Sequence, residues 1–418
     1  MPRLGTVAPV PPADPALLTD RYELTMLAGA VASGLADRDA VFEVFCRRLP
    51  PGRRFGVLAG PGRLAALLPH LHWADPELDQ VSFLDGDTRD WLRDRTPAPT
   101  VTSYAEGETF FPGSPVLTVA GTFGEGLLLE TLVLSVLNHD SAVASAAARM
   151  VIAARGRPLL EMGSRRTHEQ SAVAAARAAW VAGFAGTSNL AAGCAYDLPT
   201  VGTSAHAFVL AHLTEAEAFR VQVQTHGLET TLLVDTYDVL AGVRTAVEVA
   251  GPQLGAVRLD SGELGPLARE VRRLLDSLGA TATRIIATSD LDEHAIALLA
   301  ADPIDSYGVG TSVVTGSGAP TVGLVYKLVA IADVDGELRP VAKASPGKST
   351  LGGRKWAYRD GHGEQLRLAP GGPGRPLQVP LADDLGAARD RCAASLAELP
   401  AAARDLAPGS PPWTAELL

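Results

Sequence analysis

The sequence is poor in cysteine. Its 418 residues include three cysteines, Cys46, Cys194 and Cys392, which lie far apart and form no Cys-x-x-Cys pair. Structural zinc sites need cysteines at short spacings, and disulfide frameworks are typical of small, cysteine-rich secreted domains. The sequence therefore argues against both, and we expect buried thiols in a reducing compartment.

Positive charge is also scarce. Lys and Arg together number 36 against 47 Asp and Glu, which gives a net charge of −11 at pH 7. Nucleic-acid-binding and membrane-surface proteins need a basic face, so neither kind of partner is expected. Small anionic ligands are still allowed, because a few arginines in a cleft can set the local field. The lysines all lie at or after Lys327, so arginine supplies the cations before that point.

Long apolar runs are missing as well. We find no run of about 18 apolar residues, the length that spans a bilayer, and no apolar core of a signal peptide near the start. The content of 47% hydrophobic and 20% charged residues is that of a soluble globular protein. We expect a cytosolic protein with two or three domains and no membrane partner.

The first part of the chain, residues 1–156, has the pattern of an α/β domain without a reactive cluster. Asp20 and Glu23 form a D-x-x-E pattern that predicts a capping box at the start of a helix. Strands are predicted at 40–46, 101–111 and 115–120, and a long buried helix at 125–154. We expect this part to frame a site or to form a dimer contact.

From residue 157 to 331, short apolar segments alternate with helical segments. This alternation is typical of βαβ units and a parallel sheet. Eight strand-like segments, the last at 325–331, fit a barrel. Residues 332–418 hold a hairpin, a basic loop and segments that we expect to cover the barrel.

Polar residues follow the predicted strands, and in barrels the chemistry lies at the carboxyl ends of the strands. The sequence therefore predicts a functional rim. Its members are Arg165, Arg166, Thr187, Ser188, Asn189, His206, Asp235, Asp238, Arg258, Asp260, Ser261, Ser289, Asp290, Gly308, Gly310 and Thr311.

The rim residues suggest phosphate and sugar chemistry. The glycines of the segment 307–312, YGVGTS, let backbone N–H groups approach an anion. Arg165 and Arg258 suit a planar anion. Asp235 and Asp260 suit sugar hydroxyls or Mg²⁺, whereas Asp238 and Asp290 could equally be helix N-caps.

His206 lies in the segment GTSAHAF and could relay charge at neutral pH or be a structural, buried histidine. The rim as a whole suggests a phosphoribosyl donor that meets an aromatic acid.

An ordered set of motifs covering about residues 17–360 resembles the nicotinate phosphoribosyltransferase family in its actinobacterial-like form. The motifs include LLTDRYELTM (17–26), EMGSRRTHEQSAVAAARAA (161–179), GFAGTSNLAAG (183–193), GTSAHAF (202–208), LLVDTYD (232–238), VRLDSGEL (257–264), IIATSDLDE (285–293), YGVGTSVVTGSGAPTVGLVYKLVAI (307–331) and KSTLGGRKWAYR (348–359).

The resemblance implies a type II phosphoribosyltransferase: an irregular α/β barrel with a second, N-terminal α/β domain, working as a homodimer with its site at the interface. The implied reaction joins nicotinate to phosphoribosyl pyrophosphate, giving nicotinate mononucleotide and pyrophosphate in NAD salvage. ATP would be a co-substrate, making the overall reaction ligase-type, and Mg²⁺ would be held mainly through pyrophosphate.

The resemblance also implies roles for single residues. His206 would be transiently phosphorylated, with Asp235 orienting it, and Arg258 would act in catalysis. The implied substrate-binding residues are Tyr22 from the partner subunit, stacking on the pyridine, with Arg165, Ser188, Thr203, Asp260, Ser289, Asp290, Gly308, Gly310 and Thr311.

Substrate choice depends on Ser188, because nicotinamide-using relatives carry an acidic residue at this turn. A neutral residue there favours the acid nicotinate. Two departures from the family pattern, Ala207 and Met162, bear on the histidine turn and on the base pocket.

Three alternatives stay open: nicotinamide or quinolinate as the acceptor, a barrel aldolase or decarboxylase with a Schiff-base lysine, and a non-catalytic homologue. The lack of lysine before residue 327 argues against the second and against a pocket for two carboxylates.

Overall fold

The computed structural model describes residues 14–343, 351–361 and 363–417. The first part of the chain combines short helices and antiparallel strands with one long helix. Its elements are α1 (Arg21–Ala32), β1 (Asp39–Cys46), β2 (Gly56–Val57), α2 (Pro61–Leu67), α3 (Asp75–Gln80), α4 (Gly86–Arg93), β3 (Thr100–Tyr104), β4 (Thr109–Phe110), β5 (Pro115–Thr122), α5 (Phe123–Leu127) and α6 (Glu130–Ala154).

The predicted capping box at the start of α1 is wrong. Asp20 takes the N-cap position but its side chain makes no cap hydrogen bond. Glu23 is buried and its carboxylate instead accepts from the backbone N–H of Thr131 at 2.9 Å and from its hydroxyl at 2.6 Å. One free N–H group in the first turn of α6 thus donates to Glu23, which therefore stabilises the start of a different helix.

The middle of the chain alternates strand and helix. Its elements are β6 (Leu159–Glu161), α7 (Glu169–Val181), β7 (Gly186–Thr187), α8 (Leu190–Tyr196), α9 (His206–Leu210), α10 (Glu215–His226), β8 (Thr231–Leu233), α11 (Val239–Ala250), β9 (Ala256–Leu259), α12 (Leu264–Ser277), β10 (Arg284–Ala287), α13 (Glu293–Leu298), β11 (Ser306–Val309) and α14 (Thr311–Val314).

These strands form a six-stranded sheet in the order β7-β6-β11-β10-β9-β8, and every pairing is parallel. The βαβ prediction is confirmed, but the count of eight barrel strands is wrong. The segment before His206 contributes only one bridge, Thr187 with Thr200. The sheet is therefore a half-barrel, and all its strands end at the same edge.

The strand predicted as the last of the barrel belongs to the other sheet. It is part of the C-terminal elements β12 (Leu324–Ala332), β13 (Leu338–Pro340), β14 (Trp356–Asp360), β15 (Gly363–Arg367), β16 (Arg375–Pro376), β17 (Gln378–Pro380), α15 (Leu385–Glu398) and β18 (Ala415–Leu417). β12 pairs antiparallel with β1, from Ala40 opposite Ile331 to Cys46 opposite Leu324. The resulting antiparallel sheet has the order β13-β12-β1-β5-β3-β17.

The long helix α6 belongs to both halves of the fold. Leu132, Val133 and Leu137 pack in the core of the antiparallel sheet. Ala147 and Met150, further along, pack in the core of the half-barrel. By length and composition the stretch Phe123–Ala154 could cross a membrane, but 67% of its apolar window is buried, as is typical of a core helix.

The C-terminal segments do more than cover the barrel. Arg359 is buried and donates to Glu108 at 2.5 Å and to Glu364 at 2.9 Å. Lys355 is also buried, with its Nζ 2.7 Å from the Glu43 carboxylate of β1. Lys348 of the predicted basic loop lies outside the described residues. The ion pairs with Glu43 and Glu108 tie the C-terminal part to the first part of the chain.

Candidate active site

A cleft of about 550 Å³ lies at the carboxyl edge of the parallel sheet. Most rim residues line it, but Thr187, Asn189, Asp235, Asp238 and Ser261 do not. Of the predicted site residues, the structure brings together Arg165, Ser188, Thr203, His206, Arg258, Asp260, Ser289, Asp290, Gly308, Gly310 and Thr311 as lining residues. Asp235 lies beside them, and Tyr22 is elsewhere.

His206 is the first residue of α9, and its side chain is 40% exposed at the cleft. Its Nε2 lies 3.0 Å from Oδ1 of Asp235, whose side chain is fully buried. An ionised carboxylate only accepts hydrogen bonds, so Nε2 must carry the proton. The Nδ1 atom of His206 is thereby left with a free lone pair.

Asp235 is itself fixed by two further donors. The backbone N–H of Asp260 donates to its Oδ2 at 3.0 Å, and the Ser261 hydroxyl donates to the same atom at 2.7 Å. The buried carboxylate thus joins the ends of β8 and β9 beneath the histidine. The arrangement fixes the orientation of the imidazole, with Nε2 toward the carboxylate.

Arg258 and Asp260 extend to the same side of β9, as the spacing of two predicts. Nη2 of Arg258 is 3.2 Å from Oδ2 of Asp260, and its Nη1 donates to the Thr203 hydroxyl at 2.5 Å. Oδ1 of Asp260 accepts from the Thr288 hydroxyl at 2.5 Å. These contacts hold the guanidinium in one orientation before any ligand binds.

Thr288 is a site residue that we did not predict. It is the residue that follows β10, and it stands two positions before Asp290. The same spacing of two that linked Arg258 to Asp260 was the signal that could have identified it.

Gly308 and Gly310 surround the end of β11. A Cβ atom on Gly308 would lie 2.6 Å from Cγ2 of Thr288 and 2.7 Å from Sδ of Met162, so the position requires glycine. Gly310 immediately precedes α14, which begins at Thr311. Backbone N–H groups at this turn can approach an anion closely. Met162 packs directly against the turn and forms one wall of the cleft.

Asp238 and Asp290 have different roles in the structure. Asp238 caps α11 by accepting from the N–H of Ala241 at 2.8 Å, which is the first of the two roles that the sequence left open. Asp290 does not cap α13, because Asp292 does so through the N–H groups of His294 and Ala295. Asp290 is therefore free to line the cleft.

Ser289 has a backbone φ of +146°, a region that residues with side chains rarely adopt. The N–H of Leu291 donates to the Ser289 carbonyl at 2.8 Å and helps to hold the turn. The cost of such a conformation is about 1–3 kcal/mol. A strained turn at the rim of a cleft is typical of a functional site.

Replacing Ser289 by Gly is expected to raise the free energy of unfolding by about 1 kcal/mol. Glycine relieves the backbone strain. It also increases the conformational freedom of the unfolded chain, but this lowers the free energy of unfolding by only about 0.5–1 kcal/mol. Ser289→Ala is the matched control, because it removes the hydroxyl and keeps the strained backbone. Urea unfolding measures the stability of the two variants. Equal free energies of unfolding for Ser289→Gly and Ser289→Ala would contradict backbone strain at Ser289.

Tyr22 lies on α1 and does not line the cleft of its own chain. It is 46% exposed and forms a stripe with Leu18 and Met26, which are also exposed. Burial of its other side, together with the nearby carboxylate of Glu130, raises the pKa of Tyr22 to about 12. The hydroxyl therefore stays protonated at neutral pH.

A deeper cavity of about 940 Å³ lies inside the half-barrel and shares Met162, Thr203 and Arg258 with the cleft. Arg258 stands at the boundary between the two. Because the parallel sheet does not close, this space is not filled by layers of side chains as in a complete barrel.

Comparison with known proteins identifies the family. The profile of the nicotinate phosphoribosyltransferase (NAPRTase) N-terminal domain matches residues 17–138. Nicotinate phosphoribosyltransferase pncB1 of Mycobacterium tuberculosis (strain CDC 1551 / Oshkosh) is 56% identical over 95% of this chain and 94% of that protein. The chain belongs to the nicotinate phosphoribosyltransferase family. Its activity is nicotinate phosphoribosyl transfer, in NAD salvage, as the motifs predicted.

Solved structures agree with this nicotinate phosphoribosyltransferase fold. The crystal structure of human nicotinic acid phosphoribosyltransferase superposes with a TM-score of 0.80 at 26% identity, covering 95% of this chain and 97% of that one. The nicotinate-nucleotide pyrophosphorylase from Pyrococcus furiosus gives 0.76 at 25% identity, covering 95% and 98%. The predicted α/β class with a second N-terminal α/β domain is confirmed, with a half-barrel as its parallel part.

Proposed function

We propose that the enzyme couples the transfer to ATP hydrolysis, with His206 as the residue that is transiently phosphorylated. The hydrogen bond between His206 and the buried Asp235 carries this proposal. It assigns the proton to Nε2 and leaves Nδ1 as the nucleophile toward the γ-phosphate. The side chain is exposed enough for ATP to reach it.

The donor phosphoribosyl pyrophosphate fits the polar end of the cleft. Asp260 and Asp290 would bind the ribose hydroxyls, with Ser289 beside them. The turn of Gly308, Gly310 and Thr311 would bind the 5′-phosphate through backbone N–H groups and the Thr311 hydroxyl.

Mg²⁺ fits the site as a companion of pyrophosphate. Among the described residues no group of three or more His, Cys, Asp or Glu side chains could hold a metal by itself. The Asp235 and Asp260 carboxylates are already bonded to protein donors, which leaves Asp290 as the carboxylate of the cleft best able to face a cation. Mg²⁺ prefers few protein oxygens and substrate phosphates. When bound it would stabilise charge on the departing pyrophosphate.

The acceptor fits the arginine side of the cleft. Arg165 and Arg258 would hold the nicotinate carboxylate or the pyrophosphate, and Thr203 orients Arg258. Ser188 is neutral, so it does not repel a carboxylate. The ring nitrogen needs no general base, and the protein's task is to hold nitrogen, ribose and leaving group in line while charge develops.

A homodimer would complete the site in the cytoplasm, with residues 1–156 framing it and 157–331 carrying its rim. Tyr22 of the partner subunit would then stack on the pyridine. In one chain the stripe of Leu18, Tyr22 and Met26 is exposed, and so are the leucines Leu190, Leu210 and Leu213 that follow rim segments. Covering one patch with the other in a two-fold dimer would bury both.

The test is a product assay with phosphoribosyl pyrophosphate, Mg²⁺ and ATP, comparing nicotinate, nicotinamide and quinolinate as acceptors. We expect turnover confined to nicotinate, with release of ADP. Turnover of nicotinamide or quinolinate would overturn the role given to Ser188. Nicotinate turnover without ADP release would overturn the coupling, and no turnover at all would favour a non-catalytic homologue.

Replacing Arg258 by Ala is expected to raise the KM for nicotinate or for phosphoribosyl pyrophosphate by more than about tenfold, because charge-assisted bonds to an anion are lost. Steady-state kinetics with each substrate varied measures the change. Arg284→Ala is the control. Arg284 is the first residue of β10, at the amino ends of the strands, and pairs at 3.6 Å with the exposed Glu229. Unchanged constants for Arg258→Ala would place this arginine outside the binding site.

A further inference from the structure

A buried carboxylate lies directly beneath the cleft and takes no part in the chemistry described above. Glu161 is the last residue of β6 and is 1% exposed. The Gly163 N–H donates to its Oε1 at 2.5 Å, and the Thr187 hydroxyl donates to its Oε2 at 2.5 Å. Burial raises the pKa of Glu161, and these two hydrogen bonds oppose the rise.

The two donors to Glu161 come from two different turns of the site. Gly163 opens the turn that carries Arg165, which we call the arginine turn (residues 162–166). Thr187 opens the turn that carries Ser188, which we call the acceptor turn (residues 187–189). The backbone N–H of Ser188 also donates to the Glu161 carbonyl, at 2.8 Å. One residue therefore holds both turns.

A second bridge above Glu161 makes the arrangement rigid. The Asn189 side-chain amide donates to the Ser164 hydroxyl at 3.0 Å, which links the acceptor turn to the arginine turn again. The Asn189 N–H donates at 2.9 Å to the Thr187 hydroxyl oxygen. Gly163 packs closely against the turn of Gly308, Gly310 and Thr311, because a Cβ on Gly163 would lie 2.8 Å from the Gly310 carbonyl oxygen.

An uncompensated carboxylate is costly in this place. Burial disfavours the charge, and the cleft is proposed to receive anionic substrates. The Glu161 carboxylate has one advantage over a neutral side chain. Hydrogen bonds to a carboxylate are shorter and stronger, so they fix the distance between the two turns more closely. A displacement of about 1 Å in a positioned substrate can cost about 10²-fold in rate.

We propose that Glu161 is a positioning residue that sets the separation of the arginine turn and the acceptor turn, and thereby the affinity for the pyridine acceptor. The inference rests on the proposed function in one respect, namely that nicotinate binds between these turns. Glu161 acts through Gly163 and Thr187 and does not touch the substrate.

The test compares Glu161→Gln, which removes the charge and replaces one of the two acceptor oxygens by a donor, with Thr187→Val, which removes the hydroxyl that donates to Glu161. Thr187→Ser keeps that hydroxyl. We expect the first two to raise the KM for nicotinate by about tenfold and to change the KM for phosphoribosyl pyrophosphate by less than about twofold. Thr187→Ser should retain the wild-type KM. The double variant should be no worse than either single variant, because both remove one interaction.

The possible results distinguish a failure of the proposed function from a failure of the role given to Glu161. Wild-type protein that does not turn over nicotinate overturns the proposed function. Active wild type with an unchanged nicotinate KM in Glu161→Gln and Thr187→Val overturns only the role of Glu161. Equal increases in both KM values, together with a lower melting temperature, would mean that Glu161 serves general stability and would equally overturn it. If Glu161→Gln fails to fold, the comparison of Thr187→Val with Thr187→Ser decides alone.

Discussion

Replacing His206 by Ala abolishes the stimulation of nucleotide synthesis by ATP and leaves a slow, ATP-independent synthesis. This is the expected result because the substituted residue has no nucleophile for the γ-phosphate, while the groups proposed to hold the ribose and phosphates stay in place. The ratio of initial rates with and without ATP should fall to about 1. The measurement is nicotinate mononucleotide formation at fixed phosphoribosyl pyrophosphate, with ADP followed in parallel.

Two further variants make this result specific. Asp235→Asn keeps the shape of the buried side chain but offers an amide to Nε2, so we expect reduced phosphorylation of His206. His212→Ala is the matched control: Nδ1 of His212 donates to the Phe208 carbonyl at 2.7 Å, and the side chain does not line the cleft. It should retain full ATP stimulation. Full stimulation in His206→Ala would remove the phosphohistidine from the mechanism.

Replacing Arg177 by Ala is expected to lower the free energy of unfolding by about 3–5 kcal/mol, because it leaves the buried Glu106 carboxylate without its cation. Arg177 is 1% exposed on α7 and binds the Glu106 carboxylate at 2.6 and 2.9 Å. It also binds Asp383 at 2.6 Å. The urea concentration at the unfolding midpoint measures the loss.

A surface arginine provides the control for this prediction. Arg93 binds Asp90 at 2.5 Å, with 42% and 68% of the two side chains exposed. Exposed pairs contribute about 0–1 kcal/mol, so Arg93→Ala should change the unfolding midpoint little. A small loss in Arg177→Ala, comparable to that in Arg93→Ala, would mean that Glu106 finds other donors when the arginine is gone.

The rim could be predicted from the sequence because its signal is local. Most of its polar residues lie at or shortly after the end of a short apolar run, and parallel strands in βαβ units end at one edge. That signal alone is enough to predict that His206, Arg258 and Asp260 share one cleft, as they do. Their individual catalytic roles stay predictions, as do the division into domains and the arrival of Tyr22 from a second subunit.

The errors share a physical cause, which is pairing over long sequence separations. The run VYKLVAI is equally suited to a parallel strand and to an antiparallel one, and only its pairing with β1, some 280 residues earlier in the chain, decides. The Glu23 carboxylate binds Thr131, which lies 108 residues later in the chain, so the local capping box does not form. In TSDLDE two aspartates compete for one cap, and the sequence alone did not show that Asp292 takes it.

The long helix α6 has a consequence for how the enzyme can move. Because its N-terminal half is part of one hydrophobic core and its C-terminal half is part of the other, a hinge rotation between the two halves of the fold would expose apolar surface from both. Hinge closure needs an interface that opens at low cost. Any conformational step in the reaction cycle is therefore expected to be local rather than a rotation of the two halves about a hinge.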